Sequence, residues 1–273
     1  MKKIILCPNP NRDRGMETTR RADAILRQMG FQTVVCPPFK DQKDGACGDY
    51  KTRPLTAELK SADLLITFGG DGTILHLAKL VALNKIPVLG INMGGLGFIA
   101  ELEAGELEAL RKLKDWDFQT EQRMMLDVRV FRGEKLVSED LALNDAVISK
   151  GSIARVVELD VLADRTLVTS VTGDGVIVAT PTGSTAYSMA AGGPIVEPTS
   201  QAMVLSMDRT VTIALPKSAR KCLYLSVDGG KAIRLSGGDR VEVKRSRHST
   251  QLVQLTHRNF YQLVNQKLGG AAQ

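Results

Sequence analysis

Residues 68–73 read Phe-Gly-Gly-Asp-Gly-Thr and follow an apolar run. The adjacent glycines Gly69 and Gly70 let backbone N–H groups approach phosphate oxygens closely, and a helix resuming at Thr73 turns its positive end toward the same place. Asp71 is the anomaly. A carboxylate in a phosphate cradle is repelled unless it meets a metal, a ribose hydroxyl or a proton in transit, and that cost points to function. A tight strand-to-helix turn with Asp71 as helix cap accounts for the same residues without any ligand.

A second polar run interrupts apolar sequence at residues 176–194, VIVATPTGSTAYSMAAGGP. Pro181 stiffens the turn, Gly183 permits an unusual backbone angle, and Thr182, Ser184 and Thr185 offer hydroxyls to sugar or phosphate oxygens. Ala186, Ala190 and Ala191 keep the following helix thin enough for close approach, while Tyr187 either stacks on a base or packs in the core. Asp174, in the Gly-Asp-Gly before this run, accepts from an amine or sits in a hairpin turn. Asn144 and Asp145 put two polar residues in a row inside the apolar stretch LALNDAVIS, a break in alternation that marks either a site or a bulge. Glycines recur at residues 90–98, GINMGGLGF, again after a strand pattern, and Phe98 closes that run. Polar turns behind apolar strands, met twice in one chain, suggest a nucleotide site built from two halves. Neither a P-loop lysine nor a complete G-x-G-x-x-G is present, because Leu75 stands at the third glycine's place.

These residues need a scaffold, and a chain of 273 residues is long enough for two cores. Hydrophobic residues make up 43% and charged residues 24%, the balance of a globular protein, and no apolar stretch nears the roughly 20 residues of a membrane helix. The start, MKKIILCPNPNRD, stops being apolar at Pro8 and reads as a first strand rather than a signal peptide, which favours the cytoplasm. Cys7, Cys36, Cys47 and Cys222 show no C-x-x-C pairing, and His76, His248 and His257 form no local cluster, so no metal-ligating residue is assigned. The net charge of +6 gathers partly at residues 217–221 and 244–248. With no aromatic residues interleaved it reads as scattered solvated charge, and neither a nucleic-acid nor a membrane partner is expected.

Short apolar runs at residues 3–7, 31–36, 63–68 and 86–91 alternate with amphipathic stretches such as 16–29, which implies helices over a parallel sheet. Residues 37–53 read as a long loop of the kind that covers a site. From about Met124 the period becomes two, through residues 125–131, 136–149, 156–163 and 166–180. Further short strands are expected at residues 210–215, 222–227, 232–235, 240–244 and 251–255, with a last helix at FYQLVNQKL. The expected division is an α/β phosphate-binding domain over residues 1–120, a mostly-β domain over 121–257, and a C-terminal helix and tail over 258–273.

GGDGT, the LNDAVIS strand, DGVIVATPTGSTAYSMAAGGPIV and a G-D-x-V-x-V strand near Gly238 together resemble the NAD kinase family, in the same order and over nearly the whole chain. GGDGT by itself is shared with lipid kinases of the diacylglycerol and sphingosine type and with phosphofructokinases, whereas TPTGSTAY after Asp-Gly is far more specific. The resemblance implies an N-terminal α/β domain, a C-terminal β-sandwich-like domain that binds NAD, and a homo-oligomer, dimer or tetramer. It also implies transfer of the γ-phosphate of ATP, with Mg²⁺ or another divalent ion, to the 2′-hydroxyl of the adenosine ribose of NAD. Asp71 becomes the proton acceptor, Gly69, Gly70 and Gly72 lie near the phosphates, and Asn144, Asp145, Asp174 and residues 185–190 contact NAD. His76 and Arg155 fall where the family often contacts the dinucleotide, and Phe98 and Thr182 join the cofactor-binding set. In a loose phosphoryl-transfer transition state a carboxylate need only orient the alcohol and accept its proton late.

Three positions depart from the family pattern. Asp145 stands where Glu is usual, and Gly230 where Gln is common. After the G-G-P-I-V-x-P segment at residues 192–198, a T-P-I-x-x-H-type strand and an Arg-containing loop are missing, and residues 201–204 run directly into LSMDRTVTIAL. That loss predicts weaker folding or activity and keeps open a non-catalytic or weakly active NAD-binding protein. The shared GGDGT keeps open a lipid or sugar kinase.

Overall fold

The computed structural model describes residues 1–39, 47–95, 97–151, 156–200, 208–217, 223–256 and 259–269. Arg155, Cys222, His257, residues 40–46 of the long loop, most of the basic run at 217–221 and the sequence at 201–204 lie outside the described residues. The chain divides into two compact units, one of residues 1–122 with 250–273 and one of residues 123–249.

In the first unit β1 (Lys3–Pro8), β2 (Gln32–Val35), β3 (Leu64–Gly69) and β4 (Val88–Asn92) form a parallel ladder in the order β4-β3-β1-β2. The strands are apolar on consecutive residues because both faces are covered. Ile4, Leu6, Leu64 and Ile66 enter one core, closed by Ala22, Ile25 and Leu26 of α1 (Glu17–Gln28). Ile5, Cys7, Leu65 and Val88 enter the other. There they meet Leu55 of the single turn α2 (Leu55–Glu58) and Ile74, Leu77 and Val81 of α3 (Asp71–Asn84). A short β5 (Leu102–Glu103) pairs with β4.

Chain order reverses at β1, which pairs with β2 on one side and β3 on the other. Ligands of open α/β sheets bind beyond the carboxyl ends of the strands at such a reversal. The segments leaving those ends are residues 9–12 after β1 and Gly70 and Asp71 after β3.

The second unit is a β-sandwich. Its strands are β6 (Gln119–Arg132), β7 (Lys135–Ala142), β8 (Asp145–Lys150), β9 (Val157–Ala163) and β10 (Thr166–Gly173). They continue with β11 (Gly175–Ala179), β12 (Val211–Ala214), β13 (Leu223–Val227), β14 (Ile233–Leu235) and β15 (Asp239–Gln254). One ladder runs β10-β9-β12-β15, with β6 on β15 and β7 on β6; the other runs β11-β8-β13-β14. Val128, Val130, Leu159, Ile213 and Val241 from the first ladder pack with Ala146, Ile148, Leu225 and Leu235 from the second.

The α/β half with a parallel sheet and the mostly-β half agree with the sequence reading; four details differ. LVSEDLALNDAVIS is two strands rather than one, because β7 ends at Ala142 and β8 starts in the other ladder at Asp145. The strands expected at residues 240–244 and 251–255 are one long β15, whose last residues return to the first unit and pair at Leu252 with Val88. Residues 250–257, expected with the β-rich domain, therefore group with the first unit, as does the last helix, which was expected to stand apart. The helix after TPTGST is a single turn, α4 (Tyr187–Ala190), following a 3-10 turn at Thr182–Thr185. No helix among the described residues is long and apolar enough to cross a membrane.

Helix α1 starts without a cap at its own N-terminal residue, since Met16 is left-handed with φ 60°. Asp13 takes that role. Its buried carboxylate accepts the N–H groups of Thr18 at 3.1 Å and Thr19 at 2.9 Å and the Thr19 hydroxyl at 2.6 Å. Asp13→Ala strands these buried donors and is expected to lower stability by about 1–3 kcal/mol, measured as a lower denaturant midpoint. A loss below about 0.5 kcal/mol, the size of an ordinary surface change, would mean that the helix start does not depend on this carboxylate.

Candidate functional site

In the first unit β3 delivers Gly69, and α3 begins at Asp71. A Cβ on Gly69 would lie 2.3 Å from the Thr73 hydroxyl, so only glycine fits there, whereas Cβ atoms on Gly70 or Gly72 would meet nothing within 4 Å. Asn9 donates from Nδ2 to the same Thr73 hydroxyl at 3.3 Å, tying the loop after β1 to the start of α3.

Asp71 does not cap its own helix. Its Oδ2 accepts the Phe98 N–H at 2.7 Å, and its Oδ1 accepts the N–H groups of Ile99 at 3.2 Å and Ala100 at 3.4 Å. The reading of Asp71 as a local cap is corrected, because its partners belong to the segment after β4. That segment is brought close by Gly97, where a Cβ would sit 2.3 Å from Asp71 Oδ1. It is also held by Asn92, which donates to the carbonyls of Gly94 at 3.2 Å and Gly95 at 3.0 Å and to Glu103 at 2.9 Å. Phe98 is half-buried beside it. His76 lies on the exposed face of α3 with its ring 4.7 Å from that of Phe39.

In the second unit the break at Asn144 and Asp145 is the corner where the chain changes ladder. Asp228 holds it. Its carboxylate accepts the N–H groups of Leu143 at 2.7 Å, Asn144 at 2.7 Å and Asp145 at 3.0 Å, and its own N–H returns to the Asp145 carbonyl at 3.0 Å. Thr180 donates its N–H to the Asn144 carbonyl at 2.8 Å and its hydroxyl to the Leu143 carbonyl at 2.5 Å. Gly183 rests on the same place, for a Cβ there would lie 2.1 Å from the Asn144 carbonyl oxygen. Asn144 Oδ1 is buried with no hydrogen-bond partner. Buried acceptors are normally satisfied, so this atom calls for a donor from outside the protein.

Burial pushes the Asp145 carboxyl up to about 6, and the neighbouring Asp228 adds to the rise. Asp228 is itself raised, chiefly by burial and also by Asp140, against the three N–H groups that favour its charge.

The threonine and serine hydroxyls of TPTGSTAY make hydrogen bonds within the protein. Thr182 accepts from Arg123 at 3.4 Å, and Thr185 donates to the Thr182 carbonyl at 3.2 Å. Ser184 donates to the Val196 carbonyl at 3.1 Å and accepts its N–H at 2.9 Å. The turn uses these groups to hold its own shape. Tyr187 is 54% exposed, so its ring is not core, and Ala190 is exposed beside half-buried Ala186. Asp174 is a turn residue between β10 and β11 and pairs with Lys150 at 2.6 Å. Gly230 closes the turn that carries Asp228 by donating to the Val227 carbonyl at 2.8 Å. Asp228, Gly97 and Asn92 were not singled out from sequence. The Val-Asp-Gly-Gly turn letters offered a signal for Asp228, yet nothing local points to its three partners.

Residues 4–115 match the family described as ATP-NAD kinase N-terminal domain, and residues 143–255 match its C-terminal domain. The chain belongs to the NAD kinase family. An NAD kinase of Ruminiclostridium cellulolyticum is 34% identical over 285 residues and 98% of each chain, and one of Natranaerobius thermophilus is 36% identical over 290 residues and 99% of each. Both alignments exceed the 273 residues of this chain, so the relatives carry residues at positions that it lacks. Yeast NADH kinase complexed with NADH superposes with a TM-score of 0.83 at 25% identity, over 100% of this chain and 89% of that one. An NAD kinase from Archaeoglobus fulgidus in complex with ATP shares the fold at a TM-score of 0.68 and 22% identity, over 99% of this chain and 98% of that one.

The raised Asp145 carboxyl sets a pH dependence. From about pH 4 to pH 6 the folded chain keeps a proton that the unfolded chain has released. Stability therefore falls as pH rises through that window, by about 3 kcal/mol in all. Asp145→Asn is expected to flatten the decline of Tm across this range and to raise Tm at pH 7.5. A variant whose Tm follows the parent's pH profile contradicts the assignment.

Proposed function

We propose that this chain is a phosphotransferase that moves the γ-phosphate of ATP to the 2′-hydroxyl of the adenosine ribose of NAD, giving NADP and ADP. The observation that carries this reading is the Asp71 carboxylate, held at the strand ends by three backbone N–H groups, in a chain of the NAD kinase family. Asp71 orients the acceptor hydroxyl and takes its proton late in the transfer. Gly69, Gly70 and Gly72 keep the loop bare of side chains where phosphates approach, and His76 and Phe98 contact the dinucleotide. In the second unit Asn144, with its unpartnered Oδ1, and Asp145 accept hydrogen bonds from NAD. Ala186, Tyr187 and Ala190 present a flat surface to it, which Thr182 and Thr185 brace from within. Asp174 and Arg155 complete the proposed set.

The divalent ion enters as part of the metal–ATP substrate. Among the described residues no group of three or more His, Cys, Asp or Glu is placed to hold a metal. Assembly as a homo-oligomer, dimer or tetramer, is supported by β10, last in its ladder, on which Leu167 and Val168 are exposed. The buried free thiols Cys7, Cys36 and Cys47 suit a reducing cytoplasm.

Purified protein with ATP, Mg²⁺ and NAD should form NADP, read through an NADP-specific dehydrogenase. NAD binding without any NADP would favour a non-catalytic binding protein. Asp71→Asn is expected to lower kcat by about 10²–10⁴ while NAD affinity stays within a few-fold. Gly97→Ala pushes the Asp71 carboxylate out of place and should cost on the order of 10² in kcat, as a misplacement of about 1 Å does. Full turnover in either variant would remove Asp71 from the chemistry.

A further inference from the structure

The last helix of the first unit, α5 (Phe260–Leu268), starts at Asn259, whose side chain accepts the Tyr261 N–H at 2.8 Å. Among the described residues it meets Phe98 of the segment after β4 in two ways. The rings of Phe260 and Phe98 have centroids 6.5 Å apart, and Lys267 Nζ lies 3.8 Å from the centre of the Phe98 ring. The same Phe98 gives its N–H to Asp71. One residue therefore joins a lysine from the end of the chain to the aspartate at the start of α3.

Lys267 is half-buried and makes no ion pair within 4 Å among the described residues. Burial lowers its pKa, and the charge of Asp71 works against that fall. A partly desolvated ammonium beside an aromatic face gains something from the ring, yet without a direct anion it remains a cost to the fold. Phosphoryl transfer supplies a use for such a charge. Negative charge spreads over the oxygens of the moving group, kinases commonly set a lysine against it, and this chain has no P-loop lysine.

We propose that Lys267 is that cation: its ammonium donates to an oxygen of the γ-phosphoryl group as this passes to the hydroxyl at Asp71. The inference rests on the kinase reading above. The hydroxyl oxygen bonds to the γ-phosphorus, the bond from phosphorus to the bridging oxygen breaks, and ADP leaves with the electron pair. The proton goes to Asp71. Lys267 keeps its own proton throughout.

A purely structural lysine would only fasten α5 to Phe98, and steady-state kinetics of the full chain at saturating NAD and metal–ATP separate the two roles. Lys267→Met is expected to lower kcat roughly 10²-fold, the loss typical of one transition-state donor, with the KM for NAD within about threefold. Lys267→Arg should recover at least about a tenth of the parent rate, since guanidinium also donates to phosphate. Lys267→Met within threefold of the parent overturns the proposal, and so do equal losses in the Met and Arg variants. If Lys267→Met fails to fold, Lys267→Gln, checked by circular dichroism against the parent, is judged by the same thresholds. A parent chain that makes no NADP overturns the kinase reading and this inference together; normal turnover by parent and neutral variants alike overturns this inference alone.

Discussion

A carboxylate that gathers backbone N–H groups from a distant segment sets the geometry of the strand ends. Asp71 receives Phe98, Ile99 and Ala100, which lie 27 to 29 residues further along the chain. Hydrogen bonds to a charged acceptor contribute about 1.5–3 kcal/mol each where a neutral one gives about 1, so three of them add to the packing of Ile99 and Ala100 in holding this segment. The closeness this demands is why Gly97 carries no side chain and why Asn92 spends its amide on the carbonyls of Gly94 and Gly95. The second unit uses the same device, where Asp228 gathers three consecutive N–H groups at the corner between ladders. In both places backbone groups that no ladder could serve are satisfied by an acidic side chain.

The fold class was legible because it depends on period and alternation. Strands buried on both faces, such as Lys3–Pro8 and Leu64–Gly69, read as unbroken apolar runs, and the sandwich strands read with period two. The polar break at Asn144 and Asp145 was also legible as a break, and its cause is a corner at which the chain leaves one ladder for another. Asp228 was not legible, since its partners lie 83 to 85 residues away and no local pattern encodes them. For the same reason Asp71 could be taken for a helix cap. Its letters are those of a cap, and only the tertiary structure gives it other donors. The long β15 was read as two strands because the polar run at residues 244–248 interrupts its alternation, although Ser246 and Thr250 are buried within it.

Polar residues around the candidate site sort by whether their hydrogen bonds are already used. Thr182, Ser184 and Thr185, which offered hydroxyls to sugar or phosphate oxygens, and Thr180 before them hold the turn and its neighbours together. Such groups fix a shape while each hydroxyl keeps part of its hydrogen-bonding capacity. Asn144 is the opposite case: its backbone is held on three sides by Asp228, Thr180 and Gly183, while its side-chain oxygen is buried with no partner. A fold optimised for stability alone would not keep an unmatched acceptor on so rigid a support, and sites that oppose stability are where function is concentrated.

Asp145 extends that reasoning to charge. Burial and the nearby Asp228 oppose its ionisation, yet with a carboxyl near 6 it is mostly ionised at neutral pH and able to accept from hydroxyl or amine donors. A glutamate at this position would carry its charge one methylene further from the backbone. The shorter aspartate keeps its carboxylate close to the corner, where the field of Asp228 acts on it. Burial and the neighbouring Asp228 move the protonation equilibrium of a proposed substrate contact toward the physiological range, which ties hydrogen-bond acceptance at this corner to pH.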